Sequence, residues 1–566
     1  MKIRRSILLV LFLAAPLGAK SPPTAPATMV SSADIRATQA GLAMLRQGGN
    51  AMDGVAATLL ALTVVEPQSS GIGGGGLLVY QPVGARNPAT FDGREKAPAS
   101  ATPQLFMRPD GKPQPYREAI PGGRSVGVPG NIAMLALAHA RYGKLPWAAL
   151  FAPAIALARD GYIVTPRMAR SIANSRATLA RTPTAAALFL NVDGTPRAAG
   201  TRIVNTALAR TLEAIAKGGP DAFYRGNNAA TLVATVRSAP TNPSLMTLGD
   251  LAAYQAKQRP PVCAPYRSYR VCSMGPPSAG GTAVLAILGQ LQGFDLAKLG
   301  PDSATAWHLL VESQRLAFAD RAAYGGDQDF VQVPTAGLID PKYIAARGRL
   351  ISATATMATA EPGQPKGAPP RRSVPSSEIP STSSFAVVDA QGNVASLTST
   401  VEGGFGSSLV AGGYILNNEL TDFDFVPETA GGAPVANRVQ GGKRPRSSMS
   451  PSIVYDSRGR VVLAVGAAGG QTIPAQVAKA IIGVLDWHLS IGDAIALPLA
   501  YASGDLVVVE DSPQGARLGA LVPGLQALGH RTQKTGLPLK ANGIERVPGG
   551  WRGGADPRSE GVALGL

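Results

Sequence analysis

The apolar positions change their spacing several times along the chain, and the changes mark its elements. "SSADIRATQAGLAMLRQGGNAMDGVAATLLALTVVEP", residues 31–67, reads as two helices. Gly48-Gly49 closes the first, Asn50 is an N-cap for the second, and Pro67 stops it. A glycine-rich turn, Gly71 and Gly73 to Gly76, leads into the strand "LLVYQPV". Residues 130–165, 206–235 and 303–323 read as helical, with short strands and turns between them.

Residues 352–381 break this rhythm. "SATATMATAEPGQPKGAPPRRSVPSSEIPS" has almost no apolar periodicity and is rich in Pro and Ser, so no regular element is expected there. A linker of about thirty residues inside a compact chain is unusual and often functional. It stops at Thr382, where two strands follow, "SSFAVVD" and "VASLTSTV", joined by the turn Ala390-Gln391-Gly392-Asn393. A loose tail meeting a Thr at the head of a hairpin has the form of a cleavage site, slack on one side and held by a sheet on the other.

Composition narrows the class. The 566 residues are 45% apolar and 16% charged, with 66 Gly and 47 Pro, which points to a compact, turn-rich α/β protein rather than a disordered or coiled-coil chain. Lys2, Arg4 and Arg5 precede an apolar run from Ser6 to Ala15, and Leu17-Gly18-Ala19 offers a cleavage site. Residues 1–19 are therefore expected to be a signal peptide, and the protein periplasmic or secreted, without stable membrane insertion once the peptide is removed. Cys263 and Cys272 lie in "PVCAPYRSYRVCSM", two extended segments around a turn at Pro265-Tyr266, and in an exported protein they are expected to form a disulfide. The four histidines (139, 308, 488, 530) are scattered, so no metal site is expected. The net charge of +17 is spread along the chain, its densest clusters being Arg371-Arg372 and Lys443-Arg444-Pro445-Arg446. Neither sits in a nucleic-acid module, so a solvated cationic surface is expected and no nucleic-acid partner.

Nine pieces occur in order: "GGNAMDGVAA", "EPQSSGIGGGG", "FDGREKAP", "VGVPG", "PPSAGG", "STSSFAVVDAQGNVASLTST", "LNNELTDF", "KRPRSSMSP" and "AAGGQ". With them the chain resembles the γ-glutamyltranspeptidase family of N-terminal-nucleophile hydrolases, from about Met29 to the C-terminal "GGADPRSEG". The resemblance implies an α/β (α+β) fold built as a four-layer αββα sandwich, with no metal or organic cofactor. It implies self-cleavage between Ser381 and Thr382, giving a large subunit (20–381) and a small one (382–566). The expected partners are glutathione or other γ-glutamyl compounds, with water or amino-acid and peptide acceptors.

Thr382 is the nucleophile that the resemblance implies. A Thr hydroxyl is weak without a base, and a newly freed α-amine, with an unperturbed pKa of about 7.7–8.0, supplies one in the same residue. Thr400 matches a Thr that hydrogen-bonds the nucleophile, and its even spacing from Thr398 puts both on one face of the strand. Arg94 matches the guanidinium that grips the substrate α-carboxylate. Asp422 matches the carboxylate for the α-ammonium, with Asn417, Glu419 and Glu402 at neighbouring substrate positions. Ser447 and Ser448 match a pair that binds the same carboxylate, and Gly469-Gly470 matches the oxyanion hole. The nucleophile elbow formally present in Gly123-Arg124-Ser125-Val126-Gly127 follows Pro121-Gly122 instead of an apolar strand, which argues against a serine hydrolase.

The chain also departs from the family pattern. Thr382-Ser383-Ser384 stands where many members have a His at the third position, and Ala467-Ala468 where Ser-Pro is common. The segment after Asp422 is short for a lid and carries no Tyr. Two other readings therefore stay open, a β-lactam side-chain acylase acting on glutaryl or related groups, and a processing-dead binder of γ-glutamyl peptides.

Overall fold

The computed structural model describes residues 25–369 and 381–566. The expected signal peptide and residues 370–380 of the linker lie outside the described residues. Two antiparallel sheets form the centre. The seven-stranded sheet runs, in spatial order, Val562–Gly565, Met29–Ser32, Ser381–Val388, Val394–Glu402, Gly75–Gln81, Ala89–Gly93 and Lys257–Arg259. The six-stranded sheet runs Gly550–Ala555, Lys540–Val547, Val461–Ala468, Ser452–Tyr455, Tyr269–Ser273 and Val262–Tyr266.

The sheets stack face to face, and alternation along a strand decides what each residue meets. Phe385 and Val387 enter the core shared with the outer helices, whereas Ala386 and Val388 enter the core shared with the other sheet. Gly466 allows the close approach: a Cβ there would lie 2.2 Å from Ser384 Oγ. Helices Ile35–Arg46 and Ala51–Val65 cover the seven-stranded sheet; Gly280–Gln290 and Ile473–Leu485 cover the six-stranded one, and Ala304–Tyr324 packs on Gly280–Gln290. The result is the αββα sandwich.

Local chemistry starts and stops these elements. Asn50 Oδ1 accepts from the N–H groups of Met52 and Asp53, and the Asp53 carboxylate accepts from Asn50 N–H at 2.8 Å. All fifteen residues of the helix that follows are buried, which suits its apolar composition on every side. The expected helix over 130–165 is instead divided. Asn131–Tyr142 ends at Gly143, and a 3-10 turn at Trp147–Phe151 precedes Ala152–Asp160, with Pro146 between. Residues 206–235 break likewise at Gly218-Gly219-Pro220. Among the described residues no helix is long and apolar enough to cross a membrane.

Three local expectations change. The described part of the linker, 352–369, has no helix or strand, yet it is held in place. Met357 N–H donates to Glu312 and Gly363 N–H to Asp320, each at 2.7 Å, because buried carboxylates of Ala304–Tyr324 accept its backbone donors. Cys263 and Cys272 are bonded across paired positions of adjacent strands, but the turn falls at Arg267-Ser268, since Tyr266 still pairs with Tyr269. His308 and His530, remote in sequence, meet with Nδ1 and Nε2 2.7 Å apart.

Asn50→Ala removes the cap from a fully buried helix. Stability is expected to fall by about 1–2 kcal/mol, read as a lower urea midpoint. An unchanged midpoint would mean that other groups satisfy Met52 and Asp53 N–H.

Candidate active site

Pairing register creates the centre of the site. Thr382 lies directly opposite Thr400 on the neighbouring strand, both side chains turned toward the six-stranded sheet and both buried. Thr382 Oγ1 donates to Thr400 Oγ1 at 3.2 Å. Thr400 Oγ1 in turn donates to the carbonyl oxygen of Ser381 at 2.7 Å and accepts from Glu402 N–H at 2.8 Å. Thr400 thus touches both the expected nucleophile and the carbonyl of the expected scissile bond. The ladder shifts register between Thr400 and Glu402, and Glu402 adopts φ 74°, a left-handed conformation unusual for a residue with a Cβ. That kink carries the Glu402 carboxylate to Tyr116 Oη, 2.9 Å away, and to the Asn418 amide.

Arg94 follows the strand Ala89–Gly93 and is almost wholly buried. Its Nη2 donates to Asp422 at 2.5 Å and to Arg446 O at 2.9 Å, its Nε donates to Pro445 O at 3.2 Å, and its Nη1 pairs with Glu419. Glu95 approaches Nη1 at 3.8 Å. One guanidinium thus faces three carboxylates, and Glu402 adds its field to Glu419. Burial pushes the Glu95 carboxyl up to about 7 despite Arg94. Glu419 is raised well above the carboxylate range, chiefly by burial and against the pull of Arg94, with Glu95 and Glu402 adding repulsion. Among the described residues that line the cavity, Arg94 is the one cation and Glu402, Glu419 and Asp422 are the acids, and burial favours the neutral form of Glu419.

Ser447 and Ser448 join this cavity, as do Met449, Gly470 and Ile473. The Ser448 hydroxyl accepts from Arg321 at 2.5 Å, and Ser447 Oγ accepts from Met449 N–H at 3.1 Å. Gly469 ends the strand Val461–Ala468 at φ 130°, and Gly470 begins a 3-10 turn that feeds the helix Ile473–Leu485. The backbone N–H groups of such a turn are suited to hold a negative oxygen. The space between these groups is about 20 Å³, room for one water, so a substrate must displace the internal partners of Arg94.

Asn417 stands apart. Its amide is spent on backbone, accepting from Gly127 and Glu419 N–H and donating to Gly73 and Gly127 carbonyls. It braces the Glu419 turn and does not line the cavity.

Several partners carried no sequence signal. Ser383, on the opposite face of the strand from Thr382, donates to Glu66 at 2.5 Å. Lys540 Nζ sits 2.8 Å from Glu66 and 3.2 Å from Ser383 Oγ, its ammonium pushed down to about 8 by burial. Tyr116 and Arg321 likewise come from segments remote from any motif. Of these, Glu66 and Ser383 lie within quoted motifs, "EPQSSGIGGGG" and "STSSFAVVDAQGNVASLTST".

The donor set does not favour a metal. Among the described residues the one group of ligand-type side chains within mutual reach is His308, Glu312 and His530, away from this cavity. There His308 and His530 hydrogen-bond each other, and Glu312 is neutralised by Arg315 at 2.9 Å.

The raised Glu95 carboxyl gives a pH prediction. Its folded pKa, about 7, exceeds the ordinary 4.5, so its contribution to stability is full below 4.5 and is lost as pH rises through 7. Glu95→Gln should therefore gain stability relative to the parent between pH 5 and 8, by at most about 3 kcal/mol. Melting curves across that range test it, and a difference independent of pH refutes it.

The gamma-glutamyltranspeptidase family model matches residues 37–566. The chain is 35% identical over 551 residues to a glutathione hydrolase proenzyme of Bacillus subtilis (strain 168), covering 95% of this chain and 91% of that protein. It is 34% identical to an acylase ACY 1 proenzyme of Pseudomonas sp. (strain SE83), over 93% and 91% of the two chains. Among solved structures, a cephalosporin acylase from Bacillus halodurans superposes with a TM-score of 0.83 at 26% identity, covering 99% of both chains. Fold, family model and relatives agree, and the chain belongs to the gamma-glutamyltranspeptidase family of enzymes.

Proposed function

We propose that this protein is a self-processing γ-glutamyltransferase and glutathione hydrolase. The observation that carries the reading is the cavity beside Thr382, where the buried guanidinium of Arg94 faces the carboxyl groups of Glu95, Glu419 and Asp422, and Glu402 lines the same space. A γ-glutamyl donor is zwitterionic at its α-carbon. Its ammonium finds carboxyl groups there that can accept its hydrogen bonds. Its α-carboxylate takes the Arg94 fork as Glu419 and Asp422 turn to the ammonium, with Ser447 and Ser448 as further donors.

Processing comes first. The Thr382 hydroxyl attacks the Ser381 carbonyl carbon, the peptide C–N bond breaks, the proton passes to the amine nitrogen, and an ester joins Ser381 to Thr382 Oγ1. Water then hydrolyses that ester. The Thr400 hydroxyl, already donating to Ser381 O, steadies the charge that develops there. The products are a large subunit, 20–381, and a small one, 382–566, whose new α-amine serves as base. In turnover Thr382 Oγ1 attacks the γ-carbonyl of glutathione or a similar amide, with the Gly469-Gly470 turn accepting the oxyanion. The amine leaves, and water or an amino-acid or peptide acceptor takes the γ-glutamyl group from the ester. The basic-apolar leader supports export to the periplasm or beyond.

The full-length likeness to the cephalosporin acylase favours a second reading, hydrolysis of a glutaryl-type side chain. A glutaryl group has no ammonium to donate to those carboxyl groups.

The purified protein is expected as two fragments in denaturing mass spectrometry, with Thr382→Ala uncut and Thr400→Val cut at least about ten-fold more slowly. An active but uncut parent protein would refute the processing step. Asp422→Asn separates the two substrate readings. Loss of a buried charge-assisted contact costs about 2–5 kcal/mol, so kcat/KM for a γ-glutamyl anilide should drop at least tens-fold. Turnover of a glutaryl anilide should hold or improve. A parent enzyme that prefers the glutaryl substrate, or equal losses on both, favours the acylase.

A further inference from the structure

A groove of about 1270 Å³ lies at the end of the sandwich away from Thr382. The strand Ser381–Val388 joins the two places, with Thr382 near its start and Asp389, just past its end, in the groove wall. Seven strand residues span about 23 Å.

Five hairpin turns of the two sheets converge here, and four of them bring arginine. Arg86 follows Gly75–Gln81; Arg267 lies in the turn after Val262–Tyr266 and Arg270 in the strand that leaves it; Arg458 and Arg460 lie between Ser452–Tyr455 and Val461–Ala468; Arg546 lies near the end of Lys540–Val547. Arg267 pairs with Asp486 at 2.9 Å and Arg460 with Asp456 at 2.8 Å. Arg86, Arg270, Arg458 and Arg546 have no carboxylate partner among the described residues. The acids in the wall do not neutralise them. Asp389 accepts from Gln391 and Asn393 N–H, and Asp456 accepts from Arg458 and Arg460 N–H, each carboxylate closing its own turn.

Two of the unpaired guanidiniums are held in fixed orientation. Arg270 lies over the Tyr455 ring, 4.5 Å from its centroid, and is tied to Asn87 and to Arg86 O at 2.7 Å each. Arg546 lies over Trp551 at 4.2 Å and donates from Nε to Val461 O at 2.8 Å. Unpaired arginine held on aromatic faces loses little freedom when it grips a carboxylate or sulfate bidentately.

We propose that this groove binds an anionic polysaccharide. Its wall alternates arginines with hydroxyl and amide side chains, Ser268, Ser457 and Gln391, which suit sugar hydroxyls between charges. A nucleic-acid strand would need a row of open ring faces for its bases, whereas of the two rings in the described wall Trp551 is buried beneath Arg546 and Tyr269 is half-buried against the core. A membrane surface would need an apolar face to insert, and the one exposed large apolar side chain in the described wall is Val83.

The test uses the full protein and a size-defined heparin oligosaccharide at about 0.15 M NaCl. Arg86→Glu with Arg458→Glu is expected to weaken binding at least about ten-fold and to flatten its salt dependence. The milder Arg86→Gln with Arg458→Gln should weaken it in the same direction by less. Arg210→Glu with Arg237→Glu makes the same charge change at exposed helical sites elsewhere and should cost less than about two-fold. Equal losses from groove and control variants would assign the binding to net charge and overturn the proposal. Tighter binding to a single-stranded oligonucleotide or to phosphatidylglycerol vesicles than to the glycan would also overturn it.

Discussion

The register between Ser381–Val388 and Val394–Glu402 is the constraint on which the site depends. It sets Thr382 opposite Thr400 and brings Thr400 to the Ser381 carbonyl. The joining turn fixes it: Asp389 accepts from Gln391 and Asn393 N–H and also from Ala51 N–H, so the hairpin is locked to the start of a core helix. A slip of one residue would turn Thr382 toward Glu66 and put Ser383 in its place. The shift at Thr400/Glu402 ends the ladder where the cavity begins, and the left-handed Glu402 aims a carboxylate into it.

The second constraint is electrostatic. Burying Arg94 among carboxylates is tolerable only when its donors are satisfied. Satisfying them draws together the end of Ala89–Gly93, the turn Glu419–Asp422 and the carbonyls of Pro445 and Arg446. Asn417 holds the turn from behind by spending its whole amide on backbone. The same arrangement keeps the cavity nearly closed, so the ion pairs that hold the site together are those a zwitterionic donor would exchange for its own.

Transpeptidase and acylase relatives lie at nearly equal identity across almost the whole chain, so the scaffold does not distinguish them. Under the reading proposed above, the small cavity that holds Arg94 and its carboxyl groups would tell the two kinds of substrate apart. The other end of the sandwich has the opposite character, with arginine-bearing turns and few counter-ions. The two sheets thus carry a carboxyl-lined pocket and an arginine-lined groove at opposite ends of one strand.

The sequence by itself determined the helix pair with its Asn50 cap, the hairpin headed by Thr382, the interrupted segment before it and, through nine short motifs, the family. Those features are local: a cap, a turn or a period of two is written in adjacent residues. Only the tertiary structure decided that Asn417 braces the site and does not line it, and that Glu95 joins the acids around Arg94. It alone brought Lys540 and Glu66 behind Ser383, held residues 352–369 with Glu312 and Asp320, and made one groove from the arginines of four separate turns. These contacts join residues up to hundreds of positions apart. Their partners are chosen by the stacking of two sheets, which no short stretch of sequence encodes.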